Sequence, residues 1–265
     1  MPYTASGSRR RRWPIFLPFG LMVMIAALWT GGWFYVAARM PDVIAQWRAR
    51  EAREGRVHAC GTQSIGGFPF RIEVRCSDPS AQLSDMAPPI ALKAADALIA
   101  WQVYEPTLLI GEFTGPLALG EVGEVGKPAS FMAHWRLAQA SVRASRAGVE
   151  RVSIVSESPS VDRTDAGGTP VFKAEHVELH GRQAAGAGPD NPAVDLVLRL
   201  VAASAPALHP ILAQPLDAEV AGVLSGLADV APKPWPVLFK QWQAHGGSLD
   251  ISKARVQQGD VIAVG

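Results

Sequence analysis

The chain has 265 residues, 48% of them hydrophobic, a net charge of +1 and only two cysteines. So even a balance excludes a nucleic-acid partner held by a general basic surface, since the arginines that stand out cluster around one apolar stretch. Pro 21 and Gly 25 are too many for a helical bundle and suit strands joined by turns.

Residues 1–12 form a basic tail ending in Arg9–Arg12, and residues 13–38 then run 26 positions without a charged side chain. As a helix that run is about 39 Å long, against a hydrocarbon core of about 30 Å. It predicts one transmembrane anchor, with Trp13 near one interface and Trp33, Phe34 and Tyr35 near the other. Pro14 and Pro18 disturb the early turns, so regular helix is expected from Phe19 to Ala38. Val36-Ala37-Ala38 has the small residues of a cleavage site, but the apolar core of a secretory signal spans about 7–15 residues and this run is longer. The arginine block predicts a cytoplasmic tail; Arg39, Arg48, Arg50, Arg53 and Arg56 on the other flank are diluted by Asp42, Glu51 and Glu54.

Residues 39–56 read as a juxtamembrane helical stalk, with Pro41 in a first turn and Val43, Ile44 and Trp47 as an apolar stripe. Residues 57–265 read as a periplasmic β-rich domain, truncated at its C-terminus if the strand-and-turn pattern ending at Gly265 continues in the native protein. Gly66-Gly67 marks a turn, and from Phe70 the pattern alternates: Phe70, Ile72, Val74 and Cys76 on one face, Arg71, Glu73 and Arg75 on the other. A chain folded back at Gly66-Gly67 brings Cys60 and Cys76 within disulfide reach, and such a bond persists only in an oxidising compartment. Val57 and Ala59 suggest that the buried face there is the one opposite Cys60, so the bridge calls for a local bulge.

Short alternating segments follow. Ala97, Ile99, Trp101 and Val103 share a face; Thr107–Phe113 is apolar enough for burial on both sides; Phe131, Ala133, Trp135 and Leu137 oppose Met132, His134 and Arg136. Val152 with Ile154, Val177 with Leu179, and Val194 to Leu200 repeat the pattern, with turn residues between most of them. Leu208–Leu227 and Pro236–His245 are helical candidates, the second bounded by Pro234 and Gly246-Gly247. The expected fold is mainly β with minor α: an N-terminal transmembrane helix, then a curved antiparallel meander or sandwich with one or two short helices.

Several motifs fall short of chemistry. Gly120–Lys127 has glycines, but Glu121 and Pro128 occupy positions a phosphate-binding loop needs for glycine and Ser/Thr. His176, Glu178 and His180 share one face of a strand, where a metal-dependent hydrolase could hold its ion, but the same spacing describes a solvated strand face. Ser225 misses the spacing of a nucleophile elbow. No catalysis, metal or cofactor is expected.

With its anchor, its paired cysteines and Gly66-Gly67-Phe68-Pro69-Phe70-Arg71, the chain resembles a bacterial family known as domain of unknown function 2125, single-anchor envelope proteins. The Ser248–Gly265 region shares in that resemblance. Gly-Phe-Pro-Phe-Arg after an anchor is also similar to AsmA-like envelope proteins, which implies an elongated curved sheet handling lipid. Together these imply a bacterial inner-membrane protein with partners among membrane lipids, a phospholipid or lipopolysaccharide ligand, and envelope proteins. Phe70, Ile72, Trp101, Phe131 and Trp135 are the expected lipid-facing side chains, and a protein-binding scaffold is the main alternative.

Overall fold

The structure, a computed structural model, describes residues 13–122, 129–145, 148–164, 167–188, 192–226 and 235–265. The tail with Arg9–Arg12 and most of the Gly120–Lys127 loop lie outside the described residues. Helix α1 (Trp13–Arg53) is one uninterrupted helix of 41 residues. The separate anchor and stalk expected from the sequence are thus continuous: Pro18 and Pro41 each forfeit a backbone hydrogen bond, but the bonds on either side carry the helix through.

Among the described residues all sixteen strands join one antiparallel sheet. Its first half comprises β1 (Arg56–Ala59), β2 (Thr62–Gly66), β3 (Arg71–Ser77), β4 (Ser80–Leu83), β5 (Ile90–Gln102), β6 (Glu105–Glu121), β7 (Phe131–His134) and β8 (Leu137–Ser145). The second half comprises β9 (Gly148–Glu157), β10 (Ser160–Arg163), β11 (Thr169–Lys173), β12 (His176–Gln183), β13 (Ala193–Ala203), β14 (Leu216–Ser225), β15 (Ser248–Gln258) and β16 (Val261–Val264). A 3₁₀ turn, Pro210–Ala213, precedes β14, and α2 (Trp235–Ala244) precedes β15.

The sheet divides along a line into two wings. The start of β5 pairs with β4 and its end with β3; the end of β6 pairs with β7 and its middle with β8. Among the described residues, the non-glycine positions with positive φ are Asp78 (53°), Ser158 (51°) and Ala202 (49°), and all three lie where a strand crosses this line. The register also shifts by one residue between Ala94 and Asp96 and again between Leu200 and Ala203. The extra residue lies on β6 between Thr114 and Leu117 in the first case and on β13 in the second, where the bulge keeps Leu200 with Ala203 on one side of the sheet. The apolar faces of both wings therefore turn inward together. Ala94, Ala97, Ala133, Ala174, Ala203 and Ala205 are buried beside the line, where small side chains let the wings approach.

Away from that line the sheet has little to cover it. Among the described residues no side chain is less than 2% exposed, and Ile72, at 2%, is the most deeply buried. Thr107–Phe113, expected to be buried on both faces, instead leaves Leu109 and Phe113 well exposed within β6. The helical candidate Leu208–Leu227 holds a 3₁₀ turn, Pro210–Ala213, and then strand β14: Leu216, Ala218, Val220, Gly222 and Leu224 alternate with Asp217 and Glu219, and β13 and β15 pair with both edges. The segment through Phe131 and Leu137 breaks at Trp135-Arg136 because its halves belong to different wings.

Candidate functional site

The large wing carries a cross-strand row without one polar side chain. Directly paired positions run Ile65–Val74–Ile99–Gly111–Ala140 and on through Ile154–Leu179–Leu198–Val220–Ala254. Ten strands at about 4.8 Å each make this row about 43 Å long. A parallel row two residues away, from Ile72 and Trp101 through Leu109, Val142, Val152, Gly181, Leu196 and Gly222 to Ile251, is equally apolar. Leu109, Ile154 and Leu179 remain 43%, 42% and 38% exposed, so the strip is open to its surroundings. An apolar surface this extensive and uncovered marks a place of contact.

At the end nearest α1 the sheet is fastened to the helix. Gly67 adopts φ +95°, and the turn it begins sets Phe68-Pro69-Phe70 against the helix. The Trp29 indole donates to the Pro69 carbonyl and the Trp33 indole to that of Arg71, both at 2.9 Å. Phe34 stacks on Phe68 with ring centroids 5.8 Å apart, and Trp33 meets Phe68 edge-on at 5.4 Å. Phe68, Phe70 and Phe34 nevertheless stay about half exposed or more. A second fastening lies at the other end of the helix, where buried Arg56 donates to Glu51 and Asp85 and Trp47 stacks on His58. The carboxylates on Arg56 hold its guanidinium above its ordinary range. Val57 faces outward, so the inward face of β1 is that of Arg56 and His58, the reverse of the sequence expectation.

Cys60 and Cys76 are joined, with Cα atoms 5.7 Å apart. The irregularity expected at Cys60 is the gap between β1 and β2, where the chain leaves one wing for the other and the Gly61 N–H donates to the Ser77 carbonyl. The bridge therefore staples the dividing line at its edge.

The five side chains expected to face lipid scatter along this surface. Ile72 and Trp101 are opposite each other at the start of the apolar strip, Ile72 being 2% exposed beneath its neighbours. Phe70 precedes the strand and lies in the turn beside Trp29, 6.4 Å between rings. Phe131 is on the small wing under the Arg163 guanidinium, and Trp135 sits on the dividing line, its indole donating to the Phe113 carbonyl. The strip from Ile154 to Leu198 shows in the sequence only as separate alternations, and its Val220 lies in a segment that reads as helical; strand order makes them one surface.

The opposite face is polar. Glu178, Arg199, Glu219 and Arg255 alternate in charge across four strands, and Lys253 pairs with Glu219. His176 has one ring nitrogen 2.9 Å from Glu157 and the other 2.8 Å from Glu178, and these hydrogen bonds raise its pKa above the ordinary value while lowering that of Glu178. An imidazolium held between two carboxylates offers no lone pair to an ion. Among the described residues no set of His, Cys, Asp and Glu has the arrangement to hold a metal.

An N-terminal helix long and apolar enough to cross a bilayer, fastened to an open, creased antiparallel sheet, defines the class of molecule. The family described as "Uncharacterized protein conserved in bacteria (DUF2125)" matches residues 33–265, and the chain belongs to it. No curated protein and no solved structure matches the chain.

Proposed function

We propose that this protein is held in the bacterial inner membrane by α1, with a periplasmic body that takes acyl chains onto its apolar sheet face and has no catalytic role. The observation that carries the reading is the uncovered apolar row from Ile65 to Ala254. An acyl chain is the occupant it suits, because the strip is long, narrow and uncharged and begins beside the membrane helix. About 20 residues span the hydrocarbon core, so a span counted from Trp13 ends near Trp33, where the Phe68-Pro69-Phe70 turn docks. Exposed aromatic rings at that level fit an interfacial belt. The disulfide fits an oxidising compartment. Phospholipid and lipopolysaccharide both supply such chains.

Native mass spectrometry of the full chain released from neutral detergent tests this. Co-purifying phospholipid or lipopolysaccharide that survives repeated delipidation is expected; a lipid-free protein would overturn the reading, and a discrete dimer without lipid would assign the strip to a second copy. A scaffold role has one specific observation in its favour, the outer strand β16, whose Val261, Ile262 and Val264 are widely exposed and could add a partner strand. Crosslinking that captures one dominant envelope protein and no lipid would favour it.

A further inference from the structure

The polar face breaks its own charge rule in one row. Arg143 on β8 pairs directly with Arg151 on β9, which pairs directly with Arg182 on β12. Like charges placed directly opposite destabilise a sheet, and the rows toward the dividing line avoid this by alternating sign. Arg143 is compensated by Glu105, and Arg182 by Asp195 at 2.9 Å. Arg151 stands between them, exposed, with Glu150 as its acidic chain neighbour at the bulge where β9 shifts register. A cleft of about 470 Å³ opens beside it, lined by Arg151, Ser153, His180, Arg182, Asp195 and Ser252 among others. Two directly paired arginines, Arg151 and Arg182, thus share one concave site with the Ser153 hydroxyl.

We propose that this cleft binds a phosphate group, with Arg151 as its principal donor. Arg182 and His180 supply further positive or donor groups and Ser153 a hydroxyl, and the Arg guanidinium matches the paired oxygens of a phosphate. The Asp195 carboxylate is engaged by Arg182 at 2.9 Å, so those two charges offset each other and Arg151 is the cation the cleft itself presents. Its charged and hydroxyl side chains are on the face opposite the apolar strip, although Gly181, Leu196 and Gly222 of the strip's second row also line the cleft, and phosphate binding is tested without lipid uptake along the strip. Inorganic phosphate and the phosphodiester of a lipid headgroup carry the same chemistry.

Thermal unfolding of the full chain in a neutral detergent tests it, with sodium phosphate, with dihexanoyl phosphatidylglycerol, and with sodium chloride at matched ionic strength. A rise of about 5–10 °C is expected for a phosphate ligand at a hundredfold over its Kd, and none for chloride. Response to inorganic phosphate assigns the site to the free ion; response to the lipid alone assigns it to a headgroup. Arg151→Gln abolishes the response, and without ligand it unfolds no earlier than the parent because like-charge repulsion is relieved. Arg255→Gln, in the balanced row, keeps it. The proposal falls if neither phosphate compound shifts the parent, or if Arg151→Gln responds as the parent does.

Discussion

The indole of Trp33 donates to the backbone carbonyl of Arg71 and joins α1 to the first residue of β3. Trp33 is 8% exposed, the only buried large side chain described on α1. Its ring contacts and its hydrogen bond both hold the sheet to the helix, and they separate by substitution. Trp33→Phe, which keeps most of the ring, should lower stability by about 1 kcal/mol. Trp33→Ala should cost about 3 kcal/mol. Thermal unfolding of the full chain in detergent measures both, and equal losses would mean that the ring packing contributes nothing.

The turn that presents Pro69 depends on Gly67. At φ +95° a side chain is strained, and a Cβ there would lie 2.7 Å from the Arg71 carbonyl oxygen, the atom that accepts from Trp33. Gly67→Ala should therefore cost about 1–3 kcal/mol and also loosen the helix contact. In a double-mutant cycle with Trp33→Ala the two losses should fall short of additive. Strict additivity would show that turn and helix are independent.

Reducing the Cys60–Cys76 bridge, or replacing both cysteines with serine, should lower stability by about 3 kcal/mol, since the bridge closes a loop of sequence separation 16. The loss should be concentrated at the junction of β1, β2 and β3. Hydrogen exchange with and without reductant locates it, and unchanged protection at Gly61 and Ser77 would contradict the stapling role.

Much of this was legible in the sequence because period-two alternation reports directly on strands. Ile72, Val74, Ile99, Ile154 and Leu198 each declared which face they were on. Alternation does not report strand order, so the joining of Ile154 to Leu179 and Leu198 in one uncovered row could not be read from it. Nor does it see where strands cross between the wings: Asp78, Ser158 and Ala202 take positive φ there, and a segment such as Phe131–Leu137 looks continuous across the break. Leu208–Leu227 reads as a helical candidate from its mixed apolar spacing, but the pairing of Leu216–Ser225 on both edges decides for strand. The docking of Trp29 and Trp33 on a turn some 40 residues away left no periodic trace at all.

Stability should depend on pH through His176. Its pKa is raised above 6.5 by the hydrogen bonds to Glu178 and Glu157, so its contribution is full below that value and is lost as pH rises through the raised one. Glu178 is lowered below 4.5, so its contribution is present above that value and lost as pH falls through the lowered one. The pair therefore stabilises most between about pH 4.5 and 6.5 and weakens on the alkaline side. His176→Gln should flatten the alkaline decline in denaturant midpoint between pH 6 and 8; an unchanged slope would place the titrating group elsewhere.

Ile154 separates an open strip from a closed core. It sits mid-row between Ala140 and Leu179 and is 42% exposed. In a sealed core an aspartate at that position would be an unpaired buried charge costing several kcal/mol. On an open face the carboxylate keeps its water, and Ile154→Asp should cost about 1 kcal/mol or less while removing bound acyl chains, because the charge interrupts the apolar path at its middle. Unfolding and lipid extraction on the same sample read the two effects apart. A large loss of stability would mean that the face is covered in solution, and retention of lipid would mean that acyl chains do not run along this row.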